Sequence, residues 1–183
     1  MKKILISLSL LLLVGCTNNV DTTPHSIGNA DAPVLIEEFS DPECPACGVI
    51  GPQIEEFARN NTDLVRLEYY HFPLSYHENA FIAAEASECA GDQGKFWEYL
   101  GTVYANQKSL SEDFLYNIAD DLELNRTSFD ACLEGHDKKG KIVAHQREGR
   151  VRNLPVTPTL YVNGQMVKFG GMEQFETYIK SLE

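Results

Sequence analysis

The sequence predicts an α/β fold in which one sheet is interrupted by a large helical insertion. Three observations lead there. The aliphatic run Val34 to Phe39 has the density of a strand covered on both faces, and it feeds a helix that begins at Cys44-Pro45-Ala46-Cys47. Between residues 78 and 151 apolar side chains recur at helical spacing. Near the C-terminus Asn163-Gly164 stands between two short apolar runs, the strongest short-range signal for a hairpin. The order is therefore strand, helix, strand, helical block, strand, strand, helix, and a chain of this length after its leader suits one domain.

In chain order, Met1-Lys2-Lys3 and the largely apolar stretch Ile4 to Val14 read as an export signal, residues 1–15, because the stretch falls well short of the ~20 residues that span a bilayer. Leu13-Val14-Gly15-Cys16 resembles the bacterial lipobox, in which the cysteine receives a diacylglyceryl group and becomes the new N-terminus. The competing readings are an ordinary signal peptide with a free Cys16 and a transmembrane anchor. Residues 16–30 are polar and aperiodic and are expected to form a flexible tether, leaving 31–183 as the folded domain.

The first strand is expected at 33–39, closed by Ser40-Asp41-Pro42, and carries two glutamates at opposite parity, Glu37 and Glu38. Burying an unpaired carboxylate costs at least ~2 to 3 kcal/mol, so at least one of them should be neutralised, hydrated or useful. The helix is expected over 45–60, with Pro45 at the first helical position and a kink at Gly51-Pro52. A strand follows at 64–70. In the helical region 78–151, Phe81, Ala84, Phe96, Trp97, Leu100, Phe114, Ile118 and Phe129 read as core rather than as a cofactor pocket. Strands at 159–163 and 166–169 and a helix at 171–182 complete the chain, and Leu154-Pro155-Val156-Thr157-Pro158 before them favours extended, turn-like backbone.

Two thiols separated by a Pro-led dipeptide at a helix start can open and close a disulfide. Free N–H groups and the positive end of the helix dipole favour a thiolate at Cys44, which makes it the nucleophile; Cys47, one turn inside, closes the ring and expels the bound partner. A structural disulfide and half of a metal site are the alternatives. A partly buried carboxylate beside Cys47 would take its proton as general base; that role goes to Glu38, the alternative being a solvated edge glutamate.

These residues, with Val34-Leu35-Ile36-Glu37-Glu38-Phe39-Ser40-Asp41, Phe96-Trp97 and Val156 to Gly164, resemble the DsbA-like branch of the thioredoxin superfamily over about residues 31 to 183. The resemblance implies a thioredoxin-like fold with an inserted helical subdomain, and a protein disulfide oxidoreductase whose redox centre is the Cys44–Cys47 disulfide, without other cofactor. It implies that Thr157 and Pro158 sit against Cys44-Pro45-Ala46-Cys47 through a cis peptide bond, that Pro45 and Ala46 shape the site, and that Glu38 occupies the position of the family's buried acid. One departure is Ala46, where the strong oxidants carry His. Together with Asp41 and Glu43 beside the nucleophile, it is expected to destabilise the thiolate and weaken the protein as an oxidant; ~1.4 kcal/mol corresponds to about 30 mV.

Export fits an oxidising compartment, periplasmic or on the outer face of the cell membrane. The expected partners are exported proteins with cysteines, a membrane redox partner that resets the active pair, and the bilayer itself through Cys16. Cysteine arithmetic then leaves Cys89 and Cys132 to pair with each other, or to remain buried as thiols. They are too far apart for the close pairs of a structural zinc site, and His25, His71, His77, His136 and His145 show no ligand spacing. With 27 Asp and Glu against 15 Lys and Arg, the formal charge is −12, and the basic stretches are short and mixed, which argues against nucleic acid. The competing function is a copper chaperone using Cys44, Cys47 and one histidine, for which three methionines are poor provision.

Overall fold

A computed structural model describes residues 20–182, so the expected signal segment and Cys16 lie outside the described residues. The sheet has five strands in the order β1-β3-β2-β4-β5: β1 His25–Ile27, β2 Val34–Ser40, β3 Val65–His71, β4 Thr159–Val162 and β5 Gln165–Val167. β2 lies at its centre, parallel to β3 and antiparallel to β4, with Glu38 opposite Tyr69 on one side and Leu160 on the other. The hairpin between β4 and β5 turns at Asn163 and Gly164, whose φ angles of 47° and 78° are those its short turn requires. Asn163 Oδ1 also accepts the Leu35 amide at 2.8 Å, fastening the turn to β2.

The helices are α1 Pro45–Asn60, α2 Ala80–Gly91, α3 Phe96–Ala105, α4 Glu112–Asp121, α5 Arg126–Glu134, α6 Lys139–Val151 and α7 Met172–Lys180, and α1 runs through Pro52 without interruption. Parity along β2 divides its neighbours. Val34 and Ile36 join Ile54 and Phe57 of α1 and Phe175 and Ile179 of α7 in one core. On the opposite face Phe39 stacks on Tyr70, and Arg152, just beyond α6, lies over the Phe39 and Tyr161 rings. The insertion α2–α6 has a core of its own around Tyr99, Leu115, Ile118, Phe129 and Leu133. Cys89 of α2 and Cys132 of α5 are joined there by a disulfide. Phe81, Trp97 and Phe114, expected in the core, are only partly buried.

The N-terminal boundary needs correction. The tether expected over 16–30 gives way to structure before residue 31, because β1 pairs antiparallel with the otherwise open edge of β3, Ile27 opposite Leu67. Ile27 is buried and the His25 ring stacks on Phe96 at 3.7 Å. Three residues flanked by Pro24 and Gly28 are too few to show a strand period, so the edge, and not local pattern, makes this strand.

Candidate active site

Cys44 is the N-cap of α1 and Pro45 its first residue, with no side chain capping the exposed amides. Those amides are therefore left open at the end of the helix where the Cys44 sulfur lies. A hydrogen bond from the Cys47 side chain, then the Thr157 hydroxyl and the N–H groups of Cys47 and Ala46, outweigh partial burial and hold the Cys44 thiol down to about 5. As a thiol, Cys44 donates to the Thr157 carbonyl at 3.4 Å, and Thr157 Oγ1 is buried without a partner of its own, a donor free for the thiolate. The Thr157–Pro158 bond is cis. Both cysteines are unbonded here, and Cys47 has no exposed surface. Burial and the Cys44 sulfur push the Cys47 thiol far up.

The expected destabilisation of the Cys44 thiolate by Asp41 and Glu43 is not found, and the reason is where their charge goes. Asp41 is fully buried and accepts four hydrogen bonds: from the amides of Glu43 (2.7 Å), Cys44 (3.2 Å) and Leu74 (2.7 Å), and from His77 Nδ1 (2.8 Å). Its own amide points at Cys47 Sγ, 3.4 Å away. Glu43 is occupied by the backbone and side-chain nitrogens of Asn79. Both carboxylates thus organise the loop instead of opposing the sulfur, and His77 supplies an imidazole beside the motif although position 46 does not. Gln107, from the segment after α3, clamps the other side by donating to the carbonyls of Pro42 (2.9 Å) and Cys44 (2.8 Å).

The two glutamates of β2 have opposite fates. Glu37 pairs with Arg152 at 2.8 Å. Glu38 is 1 % exposed and its Oε1 has no hydrogen-bond partner. Burial pushes its carboxyl up to about 7, against a smaller lowering by the Ser40 hydroxyl. Ser40, next on the same face, accepts from Tyr104 OH at 3.0 Å, and Tyr104 OH in turn meets Tyr69 OH at 3.0 Å. Gly51 of α1 makes room: a Cβ there would lie 3.0 Å from the Tyr104 ring and 3.3 Å from Glu38 Oε1.

Cys44, Cys47, Glu38, Pro45, Ala46, Thr157 and Pro158 therefore meet at one end of the central strands, while Cys89 and Cys132 lie in the insertion. Ser40, Tyr69, Tyr104, His77 and Gln107 belong to the same site and were not singled out from sequence; only Ser40, sharing parity with Glu38, carried a signal. Beside Pro158 an apolar groove of about 470 Å³ opens between Ile50, Val156, Leu160 and Phe169. Among the described residues, no group of three or more His, Cys, Asp or Glu is placed to hold a metal ion.

A sequence model of the family described as thioredoxin matches residues 20–181. A Na(+)/H(+) antiporter NhaA 1 of Salinispora arenicola is 37% identical over 144 residues, 77% of this chain but 22% of the antiporter, so the chain spans about a fifth of the length of that relative. Among solved structures, DsbA2 of Pseudomonas aeruginosa is 26% identical with a TM-score of 0.69, over 90% of this chain and 96% of that one. Oxidised BdbD of Bacillus subtilis is 22% identical with a TM-score of 0.72, over 87% and 95%. No helix among the described residues is long and apolar enough to cross a membrane.

Proposed function

The chain belongs to the thioredoxin family and has a DsbA-like fold, and we propose that it is a thiol-disulfide oxidoreductase acting on exported proteins, held to a bacterial membrane by lipid on Cys16. The observation that carries the reading is the opposed state of the two sulfurs: Cys44 is drawn towards thiolate near pH 5 at a helix start, and Cys47 is kept protonated in the interior. A thiolate that keeps 8 % of its residue exposed and a thiol that keeps none divide attack from resolution. The apolar groove at Pro158 gives an extended substrate segment a place to lie beside Cys44.

In the oxidising direction a substrate thiolate attacks Cys44 Sγ of the closed disulfide, the Cys44–Cys47 bond breaks, and Cys47 leaves and is protonated. A second substrate thiol then attacks the substrate sulfur, releasing Cys44 as thiolate. The stability of that thiolate favours release and so favours oxidation. Glu38, poised near neutrality in a buried site, is the group suited to give or take the Cys47 proton. The membrane-bound partner expected to reopen the cycle would meet the same Cys44 face.

The test is trapping. Cys47→Ser should accumulate mixed disulfides through Cys44, visible on non-reducing gels, whereas Cys44→Ser should accumulate none. Equal trapping by both variants would refute the division of roles.

A further inference from the structure

We propose that Ser40 relays the proton between Cys47 and Glu38, with the hydroxyls of Tyr104 and Tyr69 holding the serine in place. The proposal rests on Glu38 as the proton acceptor and adds the route by which the proton reaches it.

The geometry that points to a relay begins with what Cys47 touches. Its sulfur receives the Asp41 amide at 3.4 Å, and no carboxylate oxygen bonds to it. Ser40 and Cys47 have no exposed surface and Glu38 is 1 % exposed, so bulk water does not connect them. Ser40 follows Glu38 by two along β2, which puts both side chains on the α1 face where Cys47 lies. A serine hydroxyl has one proton to donate and two lone pairs. Tyr104 OH fills one lone pair at 3.0 Å, and Tyr69 OH completes the chain behind it. The Ser40 proton and its second lone pair remain, which is the equipment needed to accept from one neighbour while donating to another. Both neighbours respond to it: the Ser40 hydroxyl lowers the proton affinity of Glu38 and of Cys47 alike. Glu38 Oε1, buried and unpartnered, is the acceptor at the far end.

During resolution of a mixed disulfide, Cys47 passes its proton to Ser40 Oγ as the serine proton passes to the Glu38 carboxylate. The Cys47 thiolate attacks Cys44 Sγ and forms the Cys44–Cys47 bond. The bond from Cys44 to the partner sulfur breaks, and its electron pair leaves on that sulfur as a thiolate, which takes a proton from water. The protein pair is oxidised and the partner reduced. When the protein oxidises a substrate, the same route runs backwards, and Glu38 protonates the departing Cys47 through Ser40.

Rapid-mixing kinetics of the reduced protein with a disulfide peptide, between pH 5 and 9, separate mixed-disulfide formation from resolution. Ser40→Ala should leave formation within about twofold of wild type, which also reports an intact site, and slow resolution about 100-fold, at the low end of what a general base contributes. Ser40→Thr, which restores a hydroxyl, should recover most of the loss. Ser40→Ala combined with Glu38→Gln should be no slower than Glu38→Gln alone, because both break one path. Slow resolution in Glu38→Gln with a wild-type rate in Ser40→Ala overturns the relay and leaves Glu38 as a base reached without the serine. Unchanged resolution in both variants overturns the base assignment itself. Equal loss in Ser40→Ala and Ser40→Thr overturns the hydroxyl's part.

Discussion

At Glu38 a displacement of the carboxyl from 4.5 to about 7 amounts to roughly 3 kcal/mol of folding free energy. The sign follows from which state holds the proton longer. Well below pH 4.5 Glu38 is neutral in folded and unfolded chains and its titration takes nothing from stability. As pH rises towards 7 the unfolded chain ionises first, so stability falls, and above 7 the loss is complete. Glu38→Gln is therefore expected to leave the reduced protein's urea midpoint nearly unchanged at pH 4 and to raise it at pH 8 by the equivalent of about 2 to 3 kcal/mol. Equal midpoint shifts at both pH values would show that the carboxyl is not held protonated. The protein thus retains a destabilising acid where the proposed resolution step would use a proton acceptor. Its neighbour Glu37, one residue away but facing Arg152, has no such part.

Elements are joined by a second buried acid with the opposite balance. Glu88 of α2 receives His25 of β1 at 3.0 Å, His71 of β3 at 2.9 Å and Lys141 of α6 at 2.8 Å. Burial pushes its carboxyl up, but the hydrogen bonds from His25 and His71 outweigh it and hold the carboxyl far below the usual range, while burial lowers His71 itself. Beside it, burial lowers His145 to about 4; its ring accepts the His71 amide and donates to the Thr22 carbonyl. Both contributions have one sign. That of His145 is present above pH 6.5 and lost as pH falls towards 4; that of Glu88 is present above 4.5 and lost at still lower pH. Glu88→Gln leaves the buried Lys141 ammonium unpaired, and a destabilisation of about 3 kcal/mol is expected. Hydrogen exchange should then show the β1–β3 amides opening before the rest of the sheet. Exchange there that remains as slow as in wild type would mean that β1 is held by its strand pairing alone.

For the whole molecule, the early start of structure shortens any membrane tether. Thr22 is already fixed through its carbonyl to His145, which leaves residues 17–21 between Cys16 and the folded domain. At ~3.5 Å per residue the six steps from Cys16 to Thr22 reach no more than roughly 21 Å, so a lipid on Cys16 would keep the β1 side of the domain close to the bilayer. Cys16→Ala is expected to move the protein from the membrane pellet to the soluble fraction with thiol exchange unchanged. Retention in the pellet after a high-salt wash would remove the lipid anchor from the proposal.

What the sequence determined by itself was chemistry carried in contiguous runs. Cys44-Pro45-Ala46-Cys47 places two sulfurs one helical turn apart whatever surrounds them, Asn163-Gly164 makes a hairpin through backbone preference, and alternation along Val34–Ser40 assigns Glu37 and Glu38 to opposite faces. Strand and helix order followed because period and turn chemistry are local. What only the tertiary structure decided was which polar groups meet. Asp41 looks like a charge opposing a thiolate until the loops bring Leu74 and His77 to it; Ser40 looks like a turn residue until α3 sets Tyr104 against it; and His25-Ser26-Ile27 looks like linker until β3 offers an edge. In each case the partner lies dozens of residues away, and the energy of a buried charge or an open strand edge depends on that partner, not on the residues beside it in the chain.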